Sequence, residues 1–262
     1  MDIKKFMGDA SEQPLDRIIE GGGFASIFPT IACIGDSLAS GELQIKDKDG
    51  NNHFFDFYQY SWGKFIEKIT GSKVSVFARG GMTARAYRQS FANSMGYWRR
   101  ELAANAYIIA LGVNDLVNQK MEIGSIADIC KEDYTKNADT YIGNYAYIIQ
   151  RYKEIQPEAK FFLVTIPAMS DRSEERTEIC ERMCEALYAL ADEFDNTYVI
   201  DLFKYAPDFG EEFKRDFFLT GHMNPMGYMF LARLFVSYID YIIRHNMQDF
   251  SMIGLMGVDK DF

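Results

Sequence analysis

Five short β-rich runs constrain this chain more than any other feature: FPTIACIG (28–35), KVSVFA (73–78), AYIIALG (105–112), KFFLVTIP (160–167) and NTYVID (196–201). Four are close to continuously apolar, without the alternation of a strand that has one face in water. Strands buried on both faces read this way, and they belong to parallel sheets covered by helices. Between the runs lie helical patterns at about 60–69, 83–103, 134–154, 174–193 and 226–244. Strand alternating with helix predicts an α/β fold with a parallel sheet and helices on both faces. No linker, repeat or low-complexity segment interrupts the pattern. One domain over 1–262 is therefore expected, with 1–27 as a lead-in and 245–262 as a tail.

The segment 42–58, ELQIKDKDGNNHFFDFY, departs from this order. Asp49-Gly50 between two β-prone arms predicts a hairpin inserted after the first strand. The spacing of Asp47, Asp49 and Asn51 hints at a calcium loop, but Gly50 sits in the wrong place and the closing Glu is missing. A tight turn is the reading.

Charge and cysteines narrow the partners. With 28 Lys and Arg against 38 Asp and Glu, the net charge is −10, and no basic cluster offers a surface to nucleic acid. The start, MDIKKFMGDASEQPL, has no apolar run of the secretory kind, and every apolar run in the chain reads as too short to cross a bilayer. Cys33, Cys130, Cys180 and Cys184 show no metal-type pairing with histidines. The expectation is a reduced, cytoplasmic protein that needs no metal or cofactor and has no membrane or nucleic-acid partner.

Ligands of open parallel sheets bind beyond the carboxyl ends of the strands. Those positions hold Ser37 in GDSLASGE, Gly80 and Gly81 in ARGGMTA, and Gly112, Asn114 and Asp115 in LGVND, while His222 stands before the last helix in FLTGHMNPMGY. Each has an ordinary explanation: an N-cap, turn glycines, Asn-Asp turn chemistry, a surface histidine. Together they supply the parts of acyl transfer. A serine hydroxyl is a weak nucleophile that needs an imidazole to take its proton. The tetrahedral oxyanion needs donors, and the Ser37 N–H, the Gly80 N–H and the Asn114 amide would provide three.

These blocks, in this order, resemble the SGNH (GDSL) esterases and lipases, with GDSL at 35–38 and GxND at 112–115 as close matches. The resemblance implies a three-layer α/β/α sandwich, flavodoxin-like, around a five-stranded parallel sheet. It implies Ser37 as nucleophile, His222 as base, and Ser37, Gly80 and Asn114 as the oxyanion hole. Two positions depart from the pattern. The Asn usual two residues before the second-block glycine is Ala78, which makes Gly81 a rival to Gly80 as donor and a candidate substrate contact. The last block, usually Asp-x-x-His, has Leu219 three residues before His222. In the chymotrypsin-type triad, replacing that Asp by Asn lowers kcat about 10⁴-fold through the wrong His tautomer. Another acceptor for the Nδ1 proton is therefore expected: a backbone carbonyl near Leu219, ahead of Asp216, with Asp201 third.

Other polar residues near these blocks complete the candidates. His53, on the returning arm of the hairpin, is a candidate substrate contact or, in place of His222, the base. Asp115 is a candidate substrate contact, although turn chemistry favours backbone hydrogen bonds for it and for Asp36. Arg79 and Arg85 read as solvated surface. The function expected is a serine esterase that cleaves short acyl esters, acetyl groups on carbohydrate among them, through an acyl-Ser37 intermediate. The alternative is a catalytically impaired protein that only binds a sugar or acyl group. A phosphate-binding flavodoxin-like protein is disfavoured, because GDSLASGE lacks a phosphate-cradle spacing.

Overall fold

The apolar runs become the centre of the molecule. The structure, a computed structural model, describes residues 7–9 and 11–258. Strands β1 (Thr30–Gly35), β2 (Glu42–Lys46), β3 (Asn52–Asp56), β4 (Lys73–Ala78), β5 (Ala106–Ala110), β6 (Lys160–Val164) and β7 (Thr197–Ile200) follow in chain order. Five form one parallel sheet in the order β4-β1-β5-β6-β7, and β2 and β3 pair separately as the hairpin. Alternate residues of each sheet strand enter opposite cores. Ile31, Cys33 and Ile108 join one cluster, while Ala32, Ile34 and Ile109 join the other. That two-faced burial produces the α/β/α sandwich.

On the first face lie α2 (Trp62–Thr70) and α6 (Pro225–His245), which follow the short α1 (Ser37–Ser40) and meet through Trp62 edge-on to Phe235, ring centroids 4.8 Å apart. On the second face lie α3 (Tyr141–Ile155) and α4 (Glu174–Glu193), which bury Tyr145, Ile149, Leu187 and Leu190. The short α5 (Glu211–Phe217) leads into the last loop. Helix α6 corrects one expectation. Its 21 residues include an 18-residue window of mean hydropathy 1.3, long and apolar enough to cross a bilayer, but 72% of that window is buried, as befits a core helix.

Some boundaries move for local reasons. The 83–103 pattern is helical only over 84–94, with a π turn at Tyr87–Phe91, and a short 3₁₀ turn follows at Arg100–Leu102. The 134–154 pattern becomes helix from Tyr141, where the Thr140 hydroxyl accepts the Gly143 N–H and caps it. The third run stops at Ala110 because Gly112 has φ +139, a conformation that side chains rarely adopt.

The tail is packed: Phe250 and Ile253 are 5% exposed each. The lead-in is tied to α6 through Arg244, which pairs with Asp240 at 2.8 Å and with Glu12 at 2.6 Å. The four cysteines are free thiols.

The hairpin forms where expected. Its loop is closed by the Asp47 carboxylate, which accepts the N–H groups of Asp49 and Asn51 at 2.9 Å each. It is anchored by the Tyr228 hydroxyl, which donates to the Glu42 carbonyl at 2.6 Å, and by the Thr220 hydroxyl, which donates to that of Gln44 at 3.0 Å. In the main sheet, Gly35 is in register with both Ala78 and Ala110, so the loops after β1, β4 and β5 leave at one level. β1 is the strand from which the chain turns both ways, the usual place for a ligand crevice.

Candidate active site

Ser37 follows that strand end directly. The Asp36 carboxylate accepts the Leu38 N–H at 3.0 Å, which caps α1 and sets Ser37 at its first position. His222 comes from a tight loop just before α6. The Leu219 N–H donates to the His222 carbonyl at 3.0 Å, and the Asn224 side chain caps α6 by accepting the Gly227 N–H at 2.9 Å. The two side chains meet, with His222 Nε2 2.9 Å from Ser37 Oγ.

The other ring nitrogen has a side-chain partner as well. His222 Nδ1 lies 3.1 Å from Gln44 Oε1. An Nδ1–H donated to that amide oxygen leaves the Nε2 lone pair free to accept the Ser37 hydroxyl, the tautomer a general base needs. None of the three expected orienters fills this place. Asp216 is 57% exposed and held by Arg215 at 3.0 Å. Asp201 accepts from the Thr165 and Tyr188 hydroxyls at 3.1 and 2.8 Å. The imidazole uses the Gln44 side chain instead of a carbonyl near Leu219, whose own side chain is exposed.

Gln44 and Glu42, two residues apart in β2, share one face of the hairpin. Glu42 Oε1 stands 3.0 Å from His222 Nε2, beside Ser37 Oγ. Asp56, directly across from Glu42 in β3, accepts from the Ser40 hydroxyl. Burial, and then the nearby Asp56, raise the Glu42 carboxyl above the usual range. Burial lowers the His222 imidazole below its ordinary 6.5, against an opposing pull from Asp56. Burial thus favours the neutral imidazole, and Glu42 stands beside Nε2 where an imidazolium would form.

The other predicted residues separate into two groups. Asn114 faces the site: its amide nitrogen donates to the Met82 carbonyl at 3.1 Å and to Asp36 at 3.3 Å, and its oxygen accepts from Asn118 at 2.7 Å. The Asn118 bond fixes which end of the amide turns toward Asp36. Gly81 lines the cavity. Gly80 packs under Glu42, where an added Cβ would sit 2.2 Å from Oε2, so its lack of a side chain makes room for that carboxylate.

His53 and Asp115 do not reach the site as expected. His53 bonds Asp47 at 2.9 Å at the far end of the hairpin. Asp115 is fully buried, accepts the Ala84 and Arg85 N–H groups at 3.0 and 3.4 Å and so braces two loops, outside the lining of the cavity. Burial raises its carboxyl to about 6 and that of Asp36 to about 7. Arg85 pairs with Asp139 at 2.8 Å, and Arg79 lies over the Phe91 ring.

Sequence reasoning missed Gln44, Glu42 and Phe54, whose ring stands edge-on to His222 at 6.0 Å. The available signal was period-2 spacing: Glu42 and Gln44 fall on one face, and Phe54 lies directly across from Gln44. Ser37, Gly81, Asn114 and His222 open into one cavity of about 670 Å³, which continues past Pro167 and Met169 in the loop after β6. Among the described residues, no group of three or more His, Cys, Asp or Glu is arranged to hold a metal ion.

Comparison with known proteins agrees with this architecture. A family two carbohydrate esterase from Clostridium thermocellum, in complex with cellohexaose, superposes with TM-score 0.56 at 14% identity over 92% of this chain and 67% of that one. A protein described as a possible lipase from Chitinophaga pinensis DSM 2588 gives 0.54 at 15% identity, over 83% and 98%. An acetyl xylan esterase gives 0.51 at 18% identity, over 80% and 99%. Identities this low speak for the fold alone. No curated protein matches the sequence. The profile of the GDSL-like lipase/acylhydrolase family, however, matches residues 33–230, from the strand that delivers Ser37 through the loop of His222, and the chain belongs to that family.

Proposed function

We propose that the protein is a serine esterase that removes short acyl groups, acetyl foremost, from a carbohydrate hydroxyl. The observation that carries this reading is the 2.9 Å contact between Ser37 Oγ and His222 Nε2, side chains 185 residues apart in the chain. Ser37 attacks the ester carbonyl while Nε2 takes its proton. The oxyanion is met by the Ser37 N–H, the Asn114 amide and an N–H from the Gly80-Gly81 turn. Nε2 then returns the proton to the departing alcohol, and water repeats the sequence on the acyl-enzyme. Gln44 holds the tautomer, and Glu42 faces the imidazolium as it forms.

Two features support the substrate class. Phe54 is 53% exposed beside the reacting pair and presents a ring on which a sugar can stack. The fold is also shared with carbohydrate esterases.

A p-nitrophenyl ester series from C2 to C12, run with a fluorophosphonate probe, tests this. Acetate and butyrate should be the preferred esters, with kcat/KM falling about tenfold or more by C8, a loss of about 1.4 kcal/mol in transition-state stabilisation. An unlabelled protein inert to every ester would favour the binding-only alternative.

The pH profile follows from His222. Only the neutral imidazole accepts the Ser37 proton, so activity is lost as pH falls through its pKa. Since burial lowers that pKa, the acid limb of kcat/KM for p-nitrophenyl acetate should lie below 6.5. A midpoint clearly above that value would contradict the assignment.

Gln44→Ala should lower kcat about tenfold with KM little changed, the worth of one hydrogen bond of about 1 kcal/mol that selects the tautomer. Gln44→Glu should recover most of that loss.

A further inference from the structure

The cavity of Ser37 is charged unevenly. Its reacting end carries Asp36 and Glu42, and its far end, beyond Met169, carries Arg172, Arg176 and Lys214. In a chain of net charge −10, a cationic group inside one cavity wall runs against the composition.

The state of these cations is informative. Lys214 is held by Asp171, the one carboxylate beside them in that wall. Among the described residues neither Arg172 nor Arg176 has an ion-pair partner. The half-buried Arg172 guanidinium donates to the Cys180 sulfur at 3.0 Å, a weak acceptor for so strong a donor. Burial, and the like charge of Arg176, hold Arg172 below its ordinary value. Arg172 also borders a second depression together with Glu174, Glu175, Glu178 and Glu181, none of which comes within ion-pair distance of either arginine. Two guanidiniums beside one cleft, neither with a carboxylate at ion-pair distance, each offer the fork that recognises a carboxylate or phosphate bidentately.

We propose that Arg172 and Arg176 form an anion-binding subsite of the active-site cavity, and that the acylated substrate is a sugar bearing a carboxylate or phosphate group. This rests on the esterase reading and adds the charge of the substrate to it. The acidic reacting end repels that group and the basic far end attracts it. The polarity thereby orients the sugar with its ester toward Ser37.

The test compares acetate release from acetylated glucose, acetylated glucuronic acid and acetylated glucose 6-phosphate, with p-nitrophenyl acetate as the neutral reference. Wild type should prefer one or both anionic sugars, and the better of the two separates a uronate from a phosphate. In Arg176→Gln and in Arg172→Gln/Arg176→Gln, KM for the preferred anionic sugar should rise about tenfold or more, the worth of a charge-assisted hydrogen bond. Hydrolysis of p-nitrophenyl acetate should stay within about twofold in Arg176→Gln, whose changed side chain is exposed and leaves the fold intact. Equal use of neutral and anionic sugars by wild type, or equal losses on both in the variants, would overturn the subsite while leaving the esterase reading intact. Failure to cleave any ester would count against the esterase reading alone. In that event, calorimetric binding of glucuronate and glucose 6-phosphate to Ser37→Ala protein, with and without Arg176→Gln, still decides the subsite. Binding that Arg176→Gln weakens supports it, and no binding, or binding that ignores Arg176, overturns it.

Discussion

Ser37→Ala should lower kcat for p-nitrophenyl acetate by about 10⁴-fold or more and abolish fluorophosphonate labelling. His222→Ala should cost a comparable factor. The magnitude follows from the chemistry: without Oγ there is no acyl-enzyme, and without Nε2 the hydroxyl keeps its proton and remains a poor nucleophile. Because the two act as one unit, the double variant should be little worse than either single one. Residual rate in all three would report what the oxyanion donors and binding contribute alone. Should Ser37→Ala retain labelling, the nucleophile lies elsewhere and the 2.9 Å contact is only a structural hydrogen bond.

Asn114→Ala should lower kcat by about 10²–10³-fold with a much smaller effect on KM, as expected for a donor aimed at charge that develops only in the transition state. The amide also donates to the Met82 carbonyl, so a purely structural role predicts a different outcome: a lower thermal midpoint with kcat nearly unchanged. Asn118→Ala separates the two further. It leaves the Asn114 side chain in place but removes the 2.7 Å bond that orients the amide. A smaller fall in kcat, about tenfold, should result. Measured together, kcat, KM and the midpoint distinguish a misaimed donor from a weakened loop.

How much of this was legible in the sequence depended on whether a signal was local. Both faces of each sheet strand are buried, so runs such as ACIG and YIIA carry their own evidence in apolar composition, and the sheet follows. Ser37, Asn114 and His222 sit at strand ends or beside a helix cap, positions that local pattern also marks. The partner of His222 could not be found that way. Asp216 was attractive because it is six residues away, yet helix α5 carries it to the surface, where Arg215 takes it. Gln44 is 178 residues from His222 and lies in a β arm that reads as ordinary amphipathic hairpin. Its role appears only once Tyr228 and Thr220 fasten that arm beside the last loop. The Leu219 position announced that something must replace a carboxylate. What replaced it was set by tertiary folding.

The hairpin also gives the site a particular fragility. Both groups that steady the imidazole stand on one two-stranded ribbon, in a register set by its short loop. Slipping that register by one residue would turn Leu43 and Ile45 toward the ring in place of Glu42 and Gln44. In the proposed mechanism, nucleophile, oxyanion donors and sheet would be untouched, yet the base would lose the partner that fixes its tautomer. The proposed reactivity of Ser37 would thus be adjustable from outside the core, by a piece of structure that the sheet does not need.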